Sequence, residues 1–123
     1  MLNLRPGCHC HGMLLQVLLH KYSAQDDIIV GTPYANRDVA EVQGLMGPFL
    51  NTLALRLDLA GDPAFGTVVS WAKAAATQAF LHGSTPFAKV VDSLGAVRSA
   101  AFTPIYQVQP LLRVIKGQRS ICV

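Results

Sequence analysis

The stretch L-L-H-K-Y-S-A-Q-D-D-I-I-V-G-T-P-Y-A-N-R, Leu18 to Arg37, contains the clearest succession of elements in the chain. From His11 to Tyr22 apolar residues occupy most positions of the helical period, which predicts a helix that is buried on nearly all sides. The turn-forming residues 23–27 end this helix. The stretch therefore begins with a buried helix that leads into a turn.

A short β-branched run, Ile28-Ile29-Val30, follows that turn and predicts a buried strand. The segment from Thr32 to Arg37 contains Pro33 and Asn36, so we predict that it leaves the strand as a loop. Residues 38–43 are predicted to form a short helical turn capped by the aspartate at its start.

Further along the chain, Phe49 to Leu59 alternates apolar and polar residues at its second half and predicts a strand that enters a buried region. Apolar spacing of three and four predicts a helix over Ala64 to Leu81, with Asp62 as its cap. A shorter helix is predicted to begin at Pro86, with Ser84 as its cap and apolar residues through position 94 facing inward.

The two ends of the chain carry weaker patterns. Residues 1–12 have no period and are predicted to be an irregular lead-in. Ile105 to Leu112 is predicted to be a last strand, which Pro110 restricts to a sheet edge or a strand end. The order of elements predicts the α/β class, as a mixed α+β sandwich without regular βαβ alternation.

Composition limits the possible partners of this chain. The 123 residues are 51% hydrophobic and 14% charged, against roughly 25% charged in typical soluble domains, so we expect an apolar face that needs a partner. The net charge of +3 arises after Asp92, where four basic residues and no acidic ones lie. They are sparse, and no nucleic-acid partner is predicted. No apolar run predicts a membrane span, and three cysteines without a signal peptide predict a cytoplasmic protein.

Cys8-His9-Cys10-His11 places four potential metal ligands in four residues. A tetrahedral site needs a length of chain between its ligand pairs, and His20, His82 and Cys122 form no second pair, so no metal site is predicted. A Cys/His hydrolase that pairs an N-terminal cysteine with His82 stays open, although nothing supports it. No nucleophile elbow or phosphate-binding glycine loop occurs. We therefore assign no catalytic residue.

Four segments resemble motifs of nonribosomal peptide synthetase condensation domains, in the chloramphenicol acetyltransferase-like superfamily. Leu18 to Arg37 is similar to Y-S-G-Q-D-D followed by V-G-T-P-x-A-N-R, and Gly44 to Arg56 is similar to I-G-x-F-V-N-T-L-x-L-R. His82 to Lys89 resembles H-Q-D-x-P-F-E, and Val97 to Val108 resembles R-D-x-S-R-x-P-L-F-Q-V. Together they lie within about residues 13–112.

This resemblance implies a single, incomplete lobe, the C-terminal subdomain of a two-lobed condensation domain. Family members form amide bonds between carrier-bound aminoacyl or peptidyl thioesters, whose phosphopantetheine arms meet in a tunnel between the lobes. Their catalytic histidine lies in an H-H-x-x-x-D-G motif of the N-terminal lobe. Here His9 and His11 are separated by Cys10 and no D-G follows them. The chain alone is therefore expected to be inactive, although its family is one of acyltransferase-type enzymes.

The resemblance also implies a layout, partners and site positions. We expect a lobe over residues 13–112, after the lead-in of residues 1–12, and a divergent basic tail over residues 113–123. The expected partners are the N-terminal lobe, peptidyl or acyl carrier domains and an adenylation domain, and no cofactor is expected to bind the chain directly. The positions assigned to the substrate tunnel or to its architecture are Gly31, Pro33, Asn36, Arg37, Gly47, Asn51, Thr52, His82, Pro86 and Phe87.

The last two motifs depart from the family pattern. At positions that are polar or charged in the family motifs, this chain has Gly83, Ser84 and Ala88 in the third motif, and Ser99 and Phe102 in the fourth. A buried polar group that loses its partner in this way costs about 1–3 kcal/mol. Alternative functions are a non-catalytic lobe that docks on a separately encoded N-terminal half or a carrier domain, a decayed gene remnant, or a related domain that epimerises or cyclises.

Overall fold

The computed structural model describes residues 6–37, 39–96, 101–115 and 118–122. Within these ranges helices and strands follow one another in mixed order, which confirms the predicted α/β class. In chain order the elements are α1 (Pro6–Ser23), β1 (Asp27–Tyr34), α2 (Ala40–Gln43), β2 (Asn51–Asp58), α3 (Phe65–Leu81), α4 (Phe87–Ser93), β3 (Leu111–Ile115) and β4 (Gln118–Cys122).

The antiparallel pairing of β1 with β2 forms the central sheet. Ile28 lies opposite Leu57, Val30 lies opposite Leu55, and the register continues to the end of both strands. These four residues therefore point to the same face of the sheet, because residues directly opposite one another share a face. The β-branched and leucine-rich sequence of both strands suits this half-buried position.

The strand β1 is longer than the sequence predicts, since it continues through Pro33 to Tyr34. The prediction of a loop from Thr32 onward is therefore wrong at its start. Along β1 the backbone N–H and C=O groups of alternate residues face β2, and those of the residues between them face away from β2. Gly31 is one of the residues that face away, and its N–H donates to the Val108 carbonyl at 2.9 Å. Pro33 is two residues after Gly31 and its backbone also faces away from β2, so the N–H that proline lacks would not have bonded to β2.

The core lies between one face of this sheet and the two longer helices. Its buried members come from α1, from both strands, from the residue after β2 and from α3, and they are Met13, Ile28, Val30, Leu57, Leu59 and Val68. Val30 is completely inaccessible to solvent. Ala72 and Ala75 of α3 pack against this cluster, and their small side chains let the helix approach the sheet closely.

A buried glutamine connects α1 to both strands. The Gln16 side chain is only 2% exposed, and its Nε2 donates to the Ile28 carbonyl at 3.2 Å and to the Leu55 carbonyl at 2.9 Å. These two acceptors lie on β1 and β2 respectively, so one amide group holds the helix against the ladder. A buried amide is tolerated here because its donors are satisfied.

Two expectations about α1 are wrong. The helix begins at Pro6, so the described part of the predicted lead-in is helical, and a proline in the first turn has no intrahelical partner to lose. The helix is also not buried on nearly all sides. Leu14 and Leu18 are each 52% exposed and Tyr22 is 85% exposed, so one apolar side of α1 is open to solvent.

The helices α3 and α4 lie where periodicity predicts them, but their ends differ. Ala64 and Pro86 occupy the N-cap positions, and neither makes a side-chain cap hydrogen bond, so the predicted caps are wrong. In α4, Val91 is buried as predicted, whereas Leu94 is 67% exposed and does not face inward.

The predicted last strand over Ile105 to Leu112 is also wrong. Most of this segment is irregular, and among the described residues it pairs with the sheet through one isolated parallel bridge, between Val108 and Val30. Regular strand structure begins only at Leu111, where β3 pairs with β4 as an antiparallel hairpin. Among the described residues, no helix is long and apolar enough to span a bilayer.

Replacement of Gln16 with methionine tests the link between α1 and the ladder. We expect Gln16→Met to lower the free energy of unfolding by about 1–2 kcal/mol, because two hydrogen bonds are lost while the shape of the side chain is kept. Urea unfolding followed by circular dichroism measures this. Gln78→Met, at an exposed position of α3, is the control and is expected to change stability by less than about 0.5 kcal/mol. Equal effects of the two variants would contradict the assignment.

Gly31 tests the contact between β1 and the segment that carries Val108. A Cβ atom at Gly31 would lie 2.5 Å from the ring of the buried Tyr106, which is closer than any allowed contact. We expect Gly31→Ala to destabilise the fold by about 1–3 kcal/mol through this overlap. Gly12→Ala is the control, since a Cβ there meets nothing within 4 Å, and it should stabilise α1 by about 0.5–1 kcal/mol. Thermal unfolding with no loss for Gly31→Ala would refute the contact.

Candidate functional site

The predicted site positions come together where β1 ends and β2 begins. In the ladder, Pro33 lies opposite Thr52 and Tyr34 lies opposite Asn51. The T-P-Y-A-N-R and N-T-L motifs, which are distant in the sequence, are thus adjacent in space. The connection between α3 and α4, which carries the H-G-S-T-P-F motif, contacts the same end of the sheet through Asn51.

Asn51 uses both ends of its side-chain amide to hold this connection. Its Nδ2 donates to the carbonyls of Gly83 and Thr85, at 2.7 Å each. Its Oδ1 accepts the N–H of Phe87 at 3.1 Å. The last bond satisfies a backbone donor in the first turn of α4, a role usually taken by a cap residue next to the helix. Asn51 therefore acts as a clamp and directs no free polar group into a site.

Arg37 holds the segment after α2 in a similar way. Its guanidinium donates to the carbonyls of Val42 at 2.8 Å, of Leu45 at 2.7 Å and of Gly47 at 3.1 Å. Its charge also lies 4.5 Å from the centre of the Phe49 ring, within the range of a cation–π contact. A single planar group with several fixed donors thus determines the path of the chain into β2.

The remaining predicted positions are spread around this end of the sheet. Asn36 has a φ of 51°, in the left-handed region that asparagine tolerates. Pro86 is the N-cap of α4. Phe87 packs on Tyr106, with 5.5 Å between the ring centres. The exposed His82 ends α3 and lines a depression of about 230 Å³ together with Thr52 and Phe87.

Aromatic side chains complete the site, and the sequence did not indicate their role. Tyr34 meets Phe80 edge to face, at 5.6 Å between ring centres. A Cβ atom at Gly83 would lie 2.6 Å from the Tyr34 ring, so glycine at this position lets the α3–α4 connection lie against β1. The departure from the family pattern at Gly83 thus coincides with a close contact, and a larger residue there would require the Tyr34 ring to shift. In the sequence, the departure at Gly83 from the family pattern was the only indication of this contact.

The other departures leave no unmatched buried group in the described part of the chain. Ser84 and Ala88 are exposed, Phe102 is 55% exposed, and Ser99 lies outside the described residues. No buried side-chain nitrogen or oxygen among the described residues lacks a hydrogen-bond partner. The expected cost of an orphaned partner therefore does not arise at these three positions.

The charged groups around the sheet form exposed pairs. The Arg56 Nε donates to an Asp27 carboxylate oxygen at 2.8 Å, and this hydrogen bond raises the pKa of the guanidinium above its already high value. Lys21 pairs with Asp62 at 3.1 Å. Exposed pairs of this kind contribute little to stability.

Of the potential metal ligands and catalytic groups, His82 lines this site, whereas Cys8 to His11 and His20 belong to α1. Cys8 to His11 lie in α1, and the residues whose side chains the structure describes contain no group of three metal ligands. His20 Nδ1 lies 2.8 Å from the Gln25 carbonyl and 3.5 Å from an Asp26 carboxylate oxygen, near the end of α1. The geometry thus shows a scaffold in which motif side chains bind backbone groups.

Replacement of Asn51 by aspartate tests the clamp. We expect Asn51→Asp to lower the free energy of unfolding by about 2–4 kcal/mol, because two donated bonds are lost and a carboxylate faces two carbonyl oxygens. Denaturant unfolding measures the loss. Asn36→Asp is the matched control and should stay within about 0.5 kcal/mol of the parent, since aspartate also tolerates the left-handed region. A clamp role is excluded if both variants are equally stable.

Solved structures share this fold. The X-domain from teicoplanin biosynthesis matches with a TM-score of 0.75 and 31% identity, over 82% of this chain and 23% of that one. A four-domain nonribosomal peptide synthetase bound to AMP and glycine matches with a TM-score of 0.78 and 25% identity, over 87% of this chain and 8% of that one. The condensation domain of Monacolin K polyketide synthase, at 22% identity and a TM-score of 0.70, shows the same fold over 24% of its length.

Curated relatives share the sequence. A linear gramicidin synthase of Brevibacillus parabrevis is 45% identical over 103 residues, which are 84% of this chain and 2% of that protein. Phosphinothricin tripeptide synthetase PhsB of Streptomyces viridochromogenes is 42% identical over 96 residues, which are 78% of this chain and 8% of that protein. The chain thus spans a small fraction of the length of each relative.

A protein-family model matches most of the chain, in agreement with the relatives and the solved structures. The matched region, residues 13–121, contains all four quoted motifs and reaches into the segment after residue 112. It also contains the ladder of β1 and β2 and the clamps at Arg37 and Asn51. The chain belongs to the Condensation domain family.

Proposed function

We propose that this chain is part of the C-terminal lobe of a nonribosomal peptide synthetase condensation domain and that it supports amide-bond formation only together with the rest of that domain. In this reaction the amine of a downstream aminoacyl thioester attacks the carbonyl of an upstream thioester. A C–N bond forms, the C–S bond breaks, and the thiol of the upstream arm leaves. The catalytic histidine is supplied by the other lobe, and this chain supplies structure.

This proposal rests on one observation: the matches cover most of this chain but only a small share of the solved chains. In the solved condensation-type structures, 82% of this chain superposes on only 23% or 24% of the matched chain. The chain therefore matches only a part of each of those solved chains. The absence of the H-H-x-x-x-D-G motif from its 123 residues agrees with a supporting role.

The motif residues have architectural tasks in this proposal. Asn51 and Arg37 keep the end of the sheet and the approach to β2 in place, through six hydrogen bonds to backbone groups. Thr52 and the β1 segment from Gly31 onward then form the floor or lining of the tunnel that the two lobes share. Rigid backbone at such a position lets two substrate arms meet in a fixed geometry.

The expected substrates and partners follow from the same assignment. Phosphopantetheine arms of carrier domains bring both thioesters, and the chain binds no cofactor of its own. The N-terminal lobe, the carrier domains and an adenylation domain are its partners in one assembly line in the cytoplasm. The similarity to a four-domain nonribosomal peptide synthetase supports this arrangement.

A second candidate is a docking lobe without condensation chemistry. It is favoured by the similarity to the X-domain from teicoplanin biosynthesis, which has been solved in a complex with OxyB and matches this chain with a TM-score of 0.76 and 31% identity. In this alternative the chain contributes a surface for a partner enzyme, and no substrate tunnel is needed.

A chimera separates the two candidates. Residues 13–121 of this chain replace the matched segment in a condensation domain of the linear gramicidin synthase that is 45% identical to it. With two carrier-bound thioesters as substrates, we expect amide product from the chimera and none from the isolated chain, as measured by mass spectrometry of the carrier-bound product. The chimera whose upstream catalytic histidine is changed to alanine is the control for background product.

Two outcomes would count against the proposal. Product from the isolated chain would show that it carries its own catalytic groups. A chimera that folds and binds carrier domains but forms no amide bond would favour the docking lobe.

A further inference from the structure

Tyr34 and Gly83 meet at the end of the sheet where β1 finishes. Tyr34 is the last residue of β1, it is only 8% exposed, and it lies opposite Asn51 in the ladder. Gly83 is buried in the connection between α3 and α4. A Cβ atom at Gly83 would lie 2.6 Å and 3.0 Å from two atoms of the Tyr34 ring, so the ring occupies the space that a side chain at position 83 would need.

Space, and not backbone conformation, requires a glycine at position 83. Gly83 is not among the described glycines with a positive φ, so a left-handed backbone is not the reason for glycine here. In the quoted H-Q-D-x-P-F-E motif this position is a glutamine, and in G-T-P-x-A-N-R the position of Tyr34 is open to any residue. The large residue at position 34 therefore matches the missing side chain at position 83.

Asn51 transmits this contact to β2. Its Nδ2 donates to the Gly83 carbonyl and to the Thr85 carbonyl, at 2.7 Å each. A displacement of Gly83 away from the Tyr34 ring therefore moves one acceptor of Asn51 or breaks the bond to it. Thr52, the next residue of β2, is the one assigned above to the floor or lining of the tunnel.

The connection that carries Gly83 also links the two faces of the sheet. α3 packs on the face to which Val30 points. The ring of Tyr106 lies where a Cβ atom of Gly31 would project, which is the opposite face. α4 begins with Phe87, which packs on Tyr106 at 5.5 Å between ring centres. The close approach at Gly83 thus determines where the chain turns from one face to the other.

We propose that Tyr34 is a positioning residue for the condensation reaction. Its ring, matched to the absence of a side chain at Gly83, fixes the α3–α4 connection and, through Asn51, the backbone of Thr52 at the tunnel. The inference rests on the proposed function, because it takes Thr52 as part of the tunnel. Tyr34 itself touches no substrate. Its contribution is to the geometry in which the two bound thioesters meet, so it affects the rate of the chemical step and not the binding of the carrier domains.

A double-mutant cycle in the isolated chain tests the matched pair. We expect Gly83→Ala to lower the melting temperature by about 5–10 °C, because the added methyl group overlaps the Tyr34 ring. Tyr34→Phe keeps the ring atoms that make the contact, so the same loss is expected in that background. Tyr34→Met supplies a flexible side chain that can move aside, so Gly83→Ala should cost less than half as much there. The remaining cost comes from the Phe80 carbonyl oxygen, which lies 3.1 Å from the added Cβ atom.

Gly66→Ala is the control for the exchange of glycine for alanine. A Cβ atom at Gly66, within α3, meets nothing within 4 Å. The melting temperature of this variant should therefore stay the same or rise. An equal loss from Gly83→Ala in the parent and in the Tyr34→Met background would overturn the matched pair, since the ring would then not be the obstacle.

The chimera of residues 13–121 described above tests the positioning role. At a temperature at which circular dichroism shows every chimera to be folded, Gly83→Ala should lower kcat for amide formation about fivefold to twentyfold, with KM for both carrier-bound thioesters within about twofold of the parent chimera. In the Tyr34→Met background, Gly83→Ala should lower kcat by less than about twofold. Tyr34→Phe and Gly66→Ala should each retain the kcat of the parent chimera.

The outcomes separate this inference from the function on which it rests. A folded Gly83→Ala chimera with the kcat of the parent overturns the positioning role and leaves the function intact. A raised KM with an unchanged kcat also overturns it, because the contact would then act on carrier binding. A parent chimera that forms no product counts against the function and against the positioning role with it, whereas the melting temperatures still decide whether Tyr34 and Gly83 are matched.

Discussion

The register that places Ile28 opposite Leu57 and Tyr34 opposite Asn51 positions the other described elements that pack on this sheet. A slip of β2 by one residue would turn Leu57 away from the helices and would separate Asn51 from the carbonyls it binds. The helix α1 depends on the same register, because Gln16 reaches one carbonyl on each strand. Local errors in pairing would therefore disturb the core, the helix layer and the site together.

The motif side chains of this lobe act mainly on backbone. Asn51 and Arg37 each bind three backbone groups, and glycine at position 31 admits the ring of Tyr106. Such residues can make a motif specific without any chemical step, because each depends on the size and the reach of one side chain as well as on its donors and acceptors. The family signature in this chain therefore includes residues that fix the path of the backbone.

Two surfaces of the described structure are open to solvent. The outer side of α1 exposes Leu14, Leu18 and Tyr22, and the edge of β2 that faces away from β1 exposes strand hydrogen-bonding groups. Exposed edges and apolar patches are usually covered in stable proteins, because both promote association.

Patterns within single segments were sufficient to predict some of this structure. The alternation from Phe49 to Leu59 located β2, and the helical spacing from Ala64 to Leu81 located α3, because both patterns reflect burial residue by residue. The gapless motifs likewise indicated the family. Pairing between distant residues decided the rest: that Pro33 lies within a strand, that residues 105–110 form no strand, and that Gln16 and Asn51 are clamps. These features depend on which hydrogen-bond partner lies opposite in space, and that information is absent from local order along the chain.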